Sequence, residues 1–276
     1  MSISSIYEKT NQGRRLNITW NAILTIAGRD VTRFVREPMR LAFSLILPLI
    51  LIGGLAGPMQ SSFGSAVHYS LITFSMTGLL AMTLFQTAMS GLMSLIEDRE
   101  NDFTQELFIA PISRYAIVFG KILGESLVAL VQGVVLVLVG VLLFHVPMSF
   151  STLLFIVPVS LISCLLGGAF GVLLVSLFSN QRTANMVMPF LMFPQFFLAG
   201  IFLPVRSLPW YLDILSRITP MRYAVDLMRG VFYAGRPEAA DVLLMHPIFN
   251  LIIIAVLFTL FLCIGTFFFV RAERNR

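Results

Sequence analysis

Long apolar runs separated by short polar connections dominate this chain. Each run is near or above the roughly twenty residues that a helix needs to cross the hydrocarbon core of a bilayer. The runs cover residues 41–58, 68–96, 118–145, 151–179, 184–203 and 247–270. The pattern predicts an all-α integral membrane protein with six transmembrane helices.

A different pattern precedes the first run. Between Asn17 and Met39 the apolar residues recur at helical spacing, while charged residues such as Arg29, Asp30 and Arg33 fall largely between them. This spacing predicts an amphipathic helix over residues 17–39 that lies in the membrane interface. The apolar positions are Trp20, Ile23, Leu24, Ala27, Val31, Phe34 and Val35.

Composition strengthens the membrane assignment. The chain is 57% hydrophobic and 12% charged, whereas soluble domains carry about a quarter charged residues. We therefore expect one membrane domain over residues 1–276, without a second catalytic domain. Cys164 and Cys263 lie singly inside apolar runs, and the three histidines lie singly at run ends. We expect neither a disulfide nor a metal site.

Basic residues indicate the orientation. With six spans, the connections before the first run, between runs two and three, between runs four and five and after run six share one side, and most Lys and Arg lie there. By the positive-inside rule this side is cytoplasmic, and we expect a multi-pass protein of a cell membrane, the bacterial inner membrane, with both termini cytoplasmic. Residues 204–246 weaken this assignment, since they hold Arg206, Arg217, Arg222, Arg229 and Arg236.

Catalytic motifs are missing from the sequence. A P-loop has a glycine five residues before its Gly-Lys pair and Ser or Thr after it. The only such pair, Gly120-Lys121, has Tyr115 and Ile122 at those positions. Neither HExxH nor GxSxG occurs. We expect that the chain is not an enzyme and holds no cofactor.

Two polar segments remain. Residues 97–114 begin acidic, continue with Phe103, Leu107 and Ile109, and reach a helix stop at Pro111. A docking helix and a solvated loop fit this segment equally well. Residues 204–246 combine prolines, aromatic residues and charges at helical spacing. They predict one or two short re-entrant or interfacial helices.

Together these segments resemble ABC type-2 permeases, a family that includes the daunorubicin-resistance and polysaccharide-export permeases. The family's cytoplasmic loop is similar to Glu97, Arg99 and Glu100, followed by Glu106-Leu107, Ala110-Pro111-Ile112-Ser113-Arg114 and Gly120-Lys121. Phe103 stands where Gly is usual, and Ala110 where Thr is usual. Its outer re-entrant segment is similar to Gly200, Pro204, Pro209, Pro220, Tyr223, Asp226 and Arg229.

The resemblance implies a function. The chain would be the transmembrane subunit of an ATP-driven exporter that moves an amphiphilic drug, lipid or glycan by alternating access. It would pair with a second copy or a sister permease, and separate ATP-binding subunits would hold ATP and Mg²⁺. A coupling helix between spans two and three would meet the ATPase through Glu97, Arg99, Glu100, Phe103, Glu106, Leu107, Pro111 and Arg114.

Polar residues inside two runs are candidates for the pathway. Thr83, Thr87, Ser90 and Ser94 form one helical stripe in the second run, with Gln86 beside it. Hydrogen bonds between helices, or back to the helix's own carbonyls, explain the stripe equally well. In the fifth run the candidates are Asn185 and Gln195, among two prolines and several Met and Phe.

An ion-coupled secondary transporter or a channel is the alternative function. Its motivating residue is Glu125 near the start of the third run, which would carry the proton. At helical spacing from Lys121, Glu125 is more simply the partner of that lysine. A membrane enzyme or a scaffolding subunit is a third possibility without a supporting motif.

Overall fold

The computed structural model describes residues 24–25, 27–96, 114–178 and 180–274, which contain helices and no strand. Helix α1 comprises the helical residues within 24–36. A π-helical stretch, Ile52–Ala56, joins α2 to α3, and 3₁₀ turns occur at Gly64–Ala66 and Val205–Ser207. The other helices are α2 (Pro38–Leu51), α3 (Gly57–Phe63), α4 (Leu71–Leu92), α5 (Arg114–Phe144), α6 (Phe150–Leu177), α7 (Gln181–Leu198), α8 (Trp210–Ile218), α9 (Pro220–Phe232), α10 (Ala239–Val242) and α11 (Pro247–Arg274).

Five stretches among the described residues are long and apolar enough to cross a membrane. They are Leu41–Ala66, Leu71–Ile96, Val118–Phe144, Phe150–Leu177 and Ala239–Phe268. The regular structure of the described residues is helical, and these long apolar stretches are consistent with the predicted integral membrane protein. The run at 184–203 overlaps α7, which begins at Gln181 and ends at Leu198, so residues 199–203 lie beyond the helix. Helix α7 has 18 residues, includes Pro189 and Pro194, and is not among the five. The sixth span stays a prediction.

Local residues explain where several helices begin. Side chains at three N-caps accept a hydrogen bond from the backbone N–H three residues later, which satisfies a donor that the first turn leaves open. Pro220 and Pro247 open α9 and α11, where a missing N–H removes no helical hydrogen bond. The capping pairs are Ser70 with Thr73, Ser149 with Thr152, and Asn180 with Thr183.

Helix α4 is the centre of the bundle, in contact with α5, α6 and α9. Most of its residues are buried, whereas those of the first span are mainly exposed. Glycines on α6 permit the closest approach. A Cβ on Gly167 would lie 2.2 Å from the Phe85 carbonyl oxygen, and one on Gly171 would lie 2.8 Å from that of Met89. Helices α4 and α6 therefore touch backbone to backbone.

Helix α1 ends at Arg36, the backbone of Glu37 is not helical, and Pro38 starts α2. Its buried side chains are Ala27, Asp30 and Phe34. The sequence assigned Asp30 to the polar face, and this was wrong, because Asp30 turns inward to a lysine on α5. Val35, assigned to the apolar face, is exposed. An interfacial position for α1 stays a prediction.

Residues 204–246 divide into two kinds of helix. On α8, Trp210, Ile214 and Ile218 lie four residues apart and are all exposed, so this helix presents an apolar stripe outward. On α9, every residue from Pro220 to Arg229 is buried. Helix α9 packs against α4, α6 and α11, and it carries charged residues into the protein.

Candidate functional site

The second half of α4 has one incompletely covered face. Met82, Gln86 and Thr87 are partly exposed and Ser90 is exposed, while residues between them, such as Leu84 and Phe85, are fully buried. Thr83 borders this stripe and is buried. We call Met82, Thr83, Gln86, Thr87, Ser90 and Ser94 the polar face of α4. The packing of the single chain leaves this side of its central helix open.

Hydroxyl groups of the polar face already have partners. The Thr87 hydroxyl donates to the Gln132 side-chain oxygen on α5 at 2.7 Å. Ser90 and Ser94 donate to carbonyl oxygens one turn earlier on their own helix, at 3.2 and 2.8 Å. Thr87 therefore makes a hydrogen bond between helices, whereas Ser90 and Ser94 bond back to their own helix. These are the two structural explanations of the hydroxyl stripe. The pathway role of the stripe stays a prediction.

The two candidate residues on α7 differ. Asn185 is exposed, whereas Gln195 is buried, and its amide nitrogen lies 3.4 Å from the Leu191 carbonyl oxygen. The amide oxygen of Gln195 has no partner among the described residues. A buried acceptor without a donor is uncommon in folded proteins. The pathway role of Asn185 and Gln195 stays a prediction.

Three buried charges join α1 to α5. The Lys121 ammonium lies 3.0 Å from the Asp30 carboxylate and 3.0 Å from the Glu125 carboxylate, and all three side chains are less than a tenth exposed. Arg29 approaches Asp30 from the exposed side at 3.5 Å. We call Asp30, Lys121 and Glu125 the ionic cluster.

The ionic cluster confirms one expectation and adds a residue. Glu125 pairs with Lys121 one helical turn away, which favours the ion-pair interpretation over that of a proton carrier. Sequence reasoning missed Asp30. Its signal was the spacing of Ala27, Asp30 and Phe34, which places the carboxylate on the same helical face as two buried apolar side chains.

A cavity of about 210 Å³ adjoins the ionic cluster. Side chains of α1, α4 and α5, together with Gln181 at the start of α7, line it. Ser90 and Ser94 contribute from the polar face of α4, and Glu125 contributes from the cluster. The cavity thus connects the buried charges to the open side of the central helix.

Arg229 holds the turn that follows α7. Its guanidinium donates to the Gly200 and Ile201 carbonyl oxygens at 2.6 and 3.2 Å and stacks 3.6 Å from the centre of the Phe74 ring. Gly200 has a positive φ of 73°, which glycine adopts without strain. Burial lowers the pKa of Arg229 to about 10, so the side chain remains charged at neutral pH.

Asp226 holds the segment that precedes α11. Its carboxylate accepts hydrogen bonds from the backbone N–H groups of Leu244 and Met245 at 2.8 and 3.0 Å, and from the Asn250 side chain at 2.7 Å. Three donors satisfy a carboxylate that is almost fully buried. Asp226 and Arg229 therefore tie α9 to both of its neighbouring chain segments.

The remaining candidates of residues 204–246 shape the backbone. Tyr223 donates its hydroxyl to the Arg217 carbonyl oxygen at 2.6 Å. Pro204 precedes a 3₁₀ turn, Pro209 caps α8, and Pro220 opens α9. These residues lie on the same connection as Gly200, Asp226 and Arg229, and none of them lies in the cavity beside the ionic cluster.

All five arginines of residues 204–246 have an acceptor within the chain, which the sequence did not reveal. Three bind carbonyl oxygens and two bind side chains. Arg206 donates to Leu243, Arg236 to Pro147, Arg217 to Asp213, Arg222 to Ser216, and Arg229 to Gly200.

The predicted coupling residues Glu97, Arg99, Glu100, Phe103, Glu106, Leu107 and Pro111 lie outside the described residues. Arg114 is the first residue of α5. The structure shows where the chain lies on either side of residues 97–114. Helical residues reach Ile96 on one side, and the ionic cluster lies two turns into α5 on the other. The segment therefore connects the two helices that border the cavity.

A family model described as "ABC-2 type transporter" matches residues 21–233. This chain belongs to the ABC-2 type transporter family of membrane permeases, and the predicted family is confirmed.

Two curated relatives illustrate the family. "Inner membrane transport permease YadH" of Escherichia coli (strain K12) is 23% identical over 222 residues, which cover 79% of this chain and 85% of that protein. "Probable multidrug ABC transporter permease YbhR" of the same strain is 28% identical over 140 residues, which cover 51% of this chain. The second match spans only 38% of the length of YbhR.

Proposed function

We propose that this chain is the transmembrane subunit of an ATP-driven exporter. It pairs with a second copy or a sister permease, and ATP-binding subunits dock at residues 97–114 and hydrolyse ATP with Mg²⁺. Alternating access moves an amphiphilic drug, lipid or glycan out of the cytoplasm. The printed name of YbhR refers to a multidrug transporter, and it supports an amphiphilic substrate by analogy only.

The open polar face of α4 carries this proposal. A single subunit buries most of its central helix yet leaves Gln86 and Ser90 uncovered. A second subunit opposite this face would enclose a pathway lined by amide and hydroxyl groups with Met82 among them. Such a mixed lining suits a substrate with one polar and one apolar part.

The course of α7 supports a sixth span. Gln181 lines the cavity beside Lys121 and Ser94, whereas the Leu198 carbonyl oxygen, at the other end of α7, accepts a hydrogen bond from Ser216 on α8. Helix α7 thus runs from one end of the bundle towards the other. Eighteen residues span roughly 27 Å, close to the hydrocarbon thickness.

The arginine contacts support the proposed orientation, with both termini cytoplasmic. The arginines of residues 204–246 all have acceptors in the chain. Their intramolecular contacts account for the number of arginines there, so that number does not argue for a cytoplasmic position. Exposed arginines on the opposite flanks, such as Arg36, Arg182 and Arg271, then carry the positive-inside signal. A C-terminal fusion to green fluorescent protein is expected to fluoresce, and a C-terminal fusion to alkaline phosphatase is expected to be inactive. The reverse pair of results would invert the topology.

Assembly with an ATPase tests the function. We expect the chain to co-purify with an ATP-binding subunit, and we expect Glu100→Arg or Glu106→Arg to lower the ATPase activity of the complex or to abolish assembly. Asp241→Arg is the matched control, since it reverses an exposed carboxylate on residues 204–246. Equal effects of Glu106→Arg and Asp241→Arg, or transport under an ion gradient without any ATPase, would contradict the proposal.

A further inference from the structure

The ionic cluster lies where three helices meet. Lys121 and Glu125 belong to α5, and Asp30 belongs to α1. The Glu125 side chain also occupies the space above Gly91 of α4. A Cβ on Gly91 would lie 2.0 Å from its carboxylate carbon. One lysine and its two carboxylates therefore connect α1, α5 and α4.

Close backbone contact reinforces this connection. A Cβ on Gly124 would lie 3.0 Å from the Ala27 Cα atom and 3.0 Å from an oxygen of the Asp30 carboxylate. Helices α1 and α5 thus touch one turn beyond Lys121, with the ion pair beside the contact. Since the ions are almost fully buried, solvent weakens their attraction far less than it would at a surface.

The position of the cluster gives it a role beyond packing. Helix α4 leads into residues 97–114, and α5 leads out of them. A force applied to that segment reaches both helices, and independent movement of either would separate Glu125 from Gly91 or Lys121 from Asp30. Breaking a buried ion pair leaves an uncompensated charge, so moving one of the three helices away from the others would cost free energy.

We propose that Lys121 is a positioning residue, and that the ionic cluster makes α1, α4 and α5 move as one unit when the ATP-binding subunit acts on residues 97–114. This inference rests on the proposed function, since it names how the motion of the ATPase reaches the membrane helices. Lys121 acts through its two carboxylates and touches no substrate. The cavity beside the cluster lets α7 move against this unit.

Distance measurements between spin labels test the inference. Cys164→Ala and Cys263→Ser remove the native cysteines, and labels at Thr32 on α1 and Leu127 on α5, both exposed, report movement between these helices. A second pair, Leu127 with exposed Arg182 at the start of α7, reports movement of the unit against α7. The complex with its ATP-binding subunit is measured in lipid nanodiscs, nucleotide-free and trapped with vanadate.

In the wild-type background we expect the 32–127 distance to stay constant and the 127–182 distance to change on trapping. Lys121→Met keeps the length of the side chain without its charge. In this variant we expect the 32–127 distribution to broaden on trapping and the 127–182 change to shrink severalfold, with ATPase activity retained. Lys121→Arg, and the charge exchange of Asp30→Lys with Lys121→Asp, should restore the wild-type pattern.

A wild-type 32–127 distance that changes together with the 127–182 distance would overturn the inference and leave the proposed function intact. The same holds if Lys121→Met behaves as the wild type. A 127–182 distance that stays fixed during ATP hydrolysis would also overturn it. If the purified chain assembles with no ATPase, the proposed function fails first and the inference with it. The wild-type measurement stands even where Lys121→Met does not fold.

Discussion

Two groups of buried charges at opposite ends of the bundle differ in what neutralises them. In residues 204–246, Arg229 binds backbone carbonyl oxygens and Asp226 binds two backbone N–H groups. In the ionic cluster, by contrast, Lys121 binds side chains on two helices. A charge held by backbone fixes the course of the chain, whereas a charge held by side chains fixes helices relative to each other.

The difference teaches what each end holds fixed. Arg229 and Asp226 each have two partners in the backbone, so any shift of α9 breaks several hydrogen bonds at once. The ionic cluster has one cation, two carboxylates and a cavity of about 210 Å³ beside it. Gln181 of α7 lines the same cavity. We expect the first group to act as an anchor for the course of the chain, and the second as a clamp that holds α1, α4 and α5 together while α7 moves beside it.

The largest expected effect is at the anchor. Arg229→Met removes a charged donor from two buried carbonyl oxygens, and at about 1.5–3 kcal/mol for each such hydrogen bond we expect a loss of about 4 kcal/mol. Thermal unfolding of the detergent-solubilised protein measures this loss. Arg217→Met is the matched control, because that arginine lies on the same connection and is mostly exposed. Similar losses for both variants would mean that the carbonyl contacts do not anchor the turn.

Lys121→Met should have the next largest effect. It leaves two carboxylates facing each other, and removing one partner of a buried ion pair typically costs several kcal/mol. We expect about 3 kcal/mol in the same unfolding assay, the lower end of that range, because the adjoining cavity admits water.

Exchanging the two charges of an ion pair distinguishes the ionic cluster from the contacts of Arg229. Asp30→Lys combined with Lys121→Asp should recover part of the stability that Lys121→Met loses, as both partners are side chains. Arg229 offers no such exchange, since its acceptors are carbonyl oxygens. A double variant no more stable than Lys121→Met would show that the charges of the pair cannot be exchanged and would weaken the description of the cluster as an ionic clamp.

Gly91→Ala is expected to have a smaller effect. The added methyl group would occupy the place of the Glu125 carboxylate, and the flexible side chain can swing away, so we expect a loss of about 1–2 kcal/mol. Gly28→Ala is the control, since a Cβ there meets nothing within 4 Å. It should stabilise α1 by about 0.5 kcal/mol. A neutral Gly91→Ala would place Glu125 outside the contact with α4.

Asp213→Asn should have the smallest effect of these variants. The hydrogen bond from Arg217 holds the pKa of the Asp213 carboxyl below its ordinary value. A lowered pKa contributes stability above the ordinary carboxyl range, and this contribution disappears as the pH falls through the lowered value. The difference in melting temperature between wild type and variant should therefore be small at pH 7 and vanish in acid. A difference that grows in acid would contradict this assignment.

Much of the fold could be predicted from the chain itself. Runs of about twenty apolar residues have few stable conformations in a bilayer other than a helix, because the backbone must satisfy its own hydrogen bonds there. Five of the six predicted runs correspond to helices that pass the length and hydropathy test. The run at 184–203 was the difficult case, since two prolines and two polar residues, Asn185 and Gln195, lower its hydropathy.

The candidate site was harder to predict. The i, i+4 spacing of Lys121 and Glu125 on one helix predicted their pairing, which is confirmed. Asp30 is 91 residues from Lys121 in the chain, so no local spacing connects them. Likewise, no motif indicated that Arg206, Arg229 and Arg236 would find acceptors 37, 29 and 89 residues away in the chain.

The sequence by itself determined the membrane environment, the helices and the family, because hydropathy, helical periodicity and short motifs are properties of neighbouring residues. Tertiary structure alone decided which charges are buried and what they bind. Glycines at Gly91 and Gly124 bring helices close enough for one lysine to reach two carboxylates. Those distances depend on the packing of several helices at once, and for this reason the ionic cluster became visible only in the folded chain.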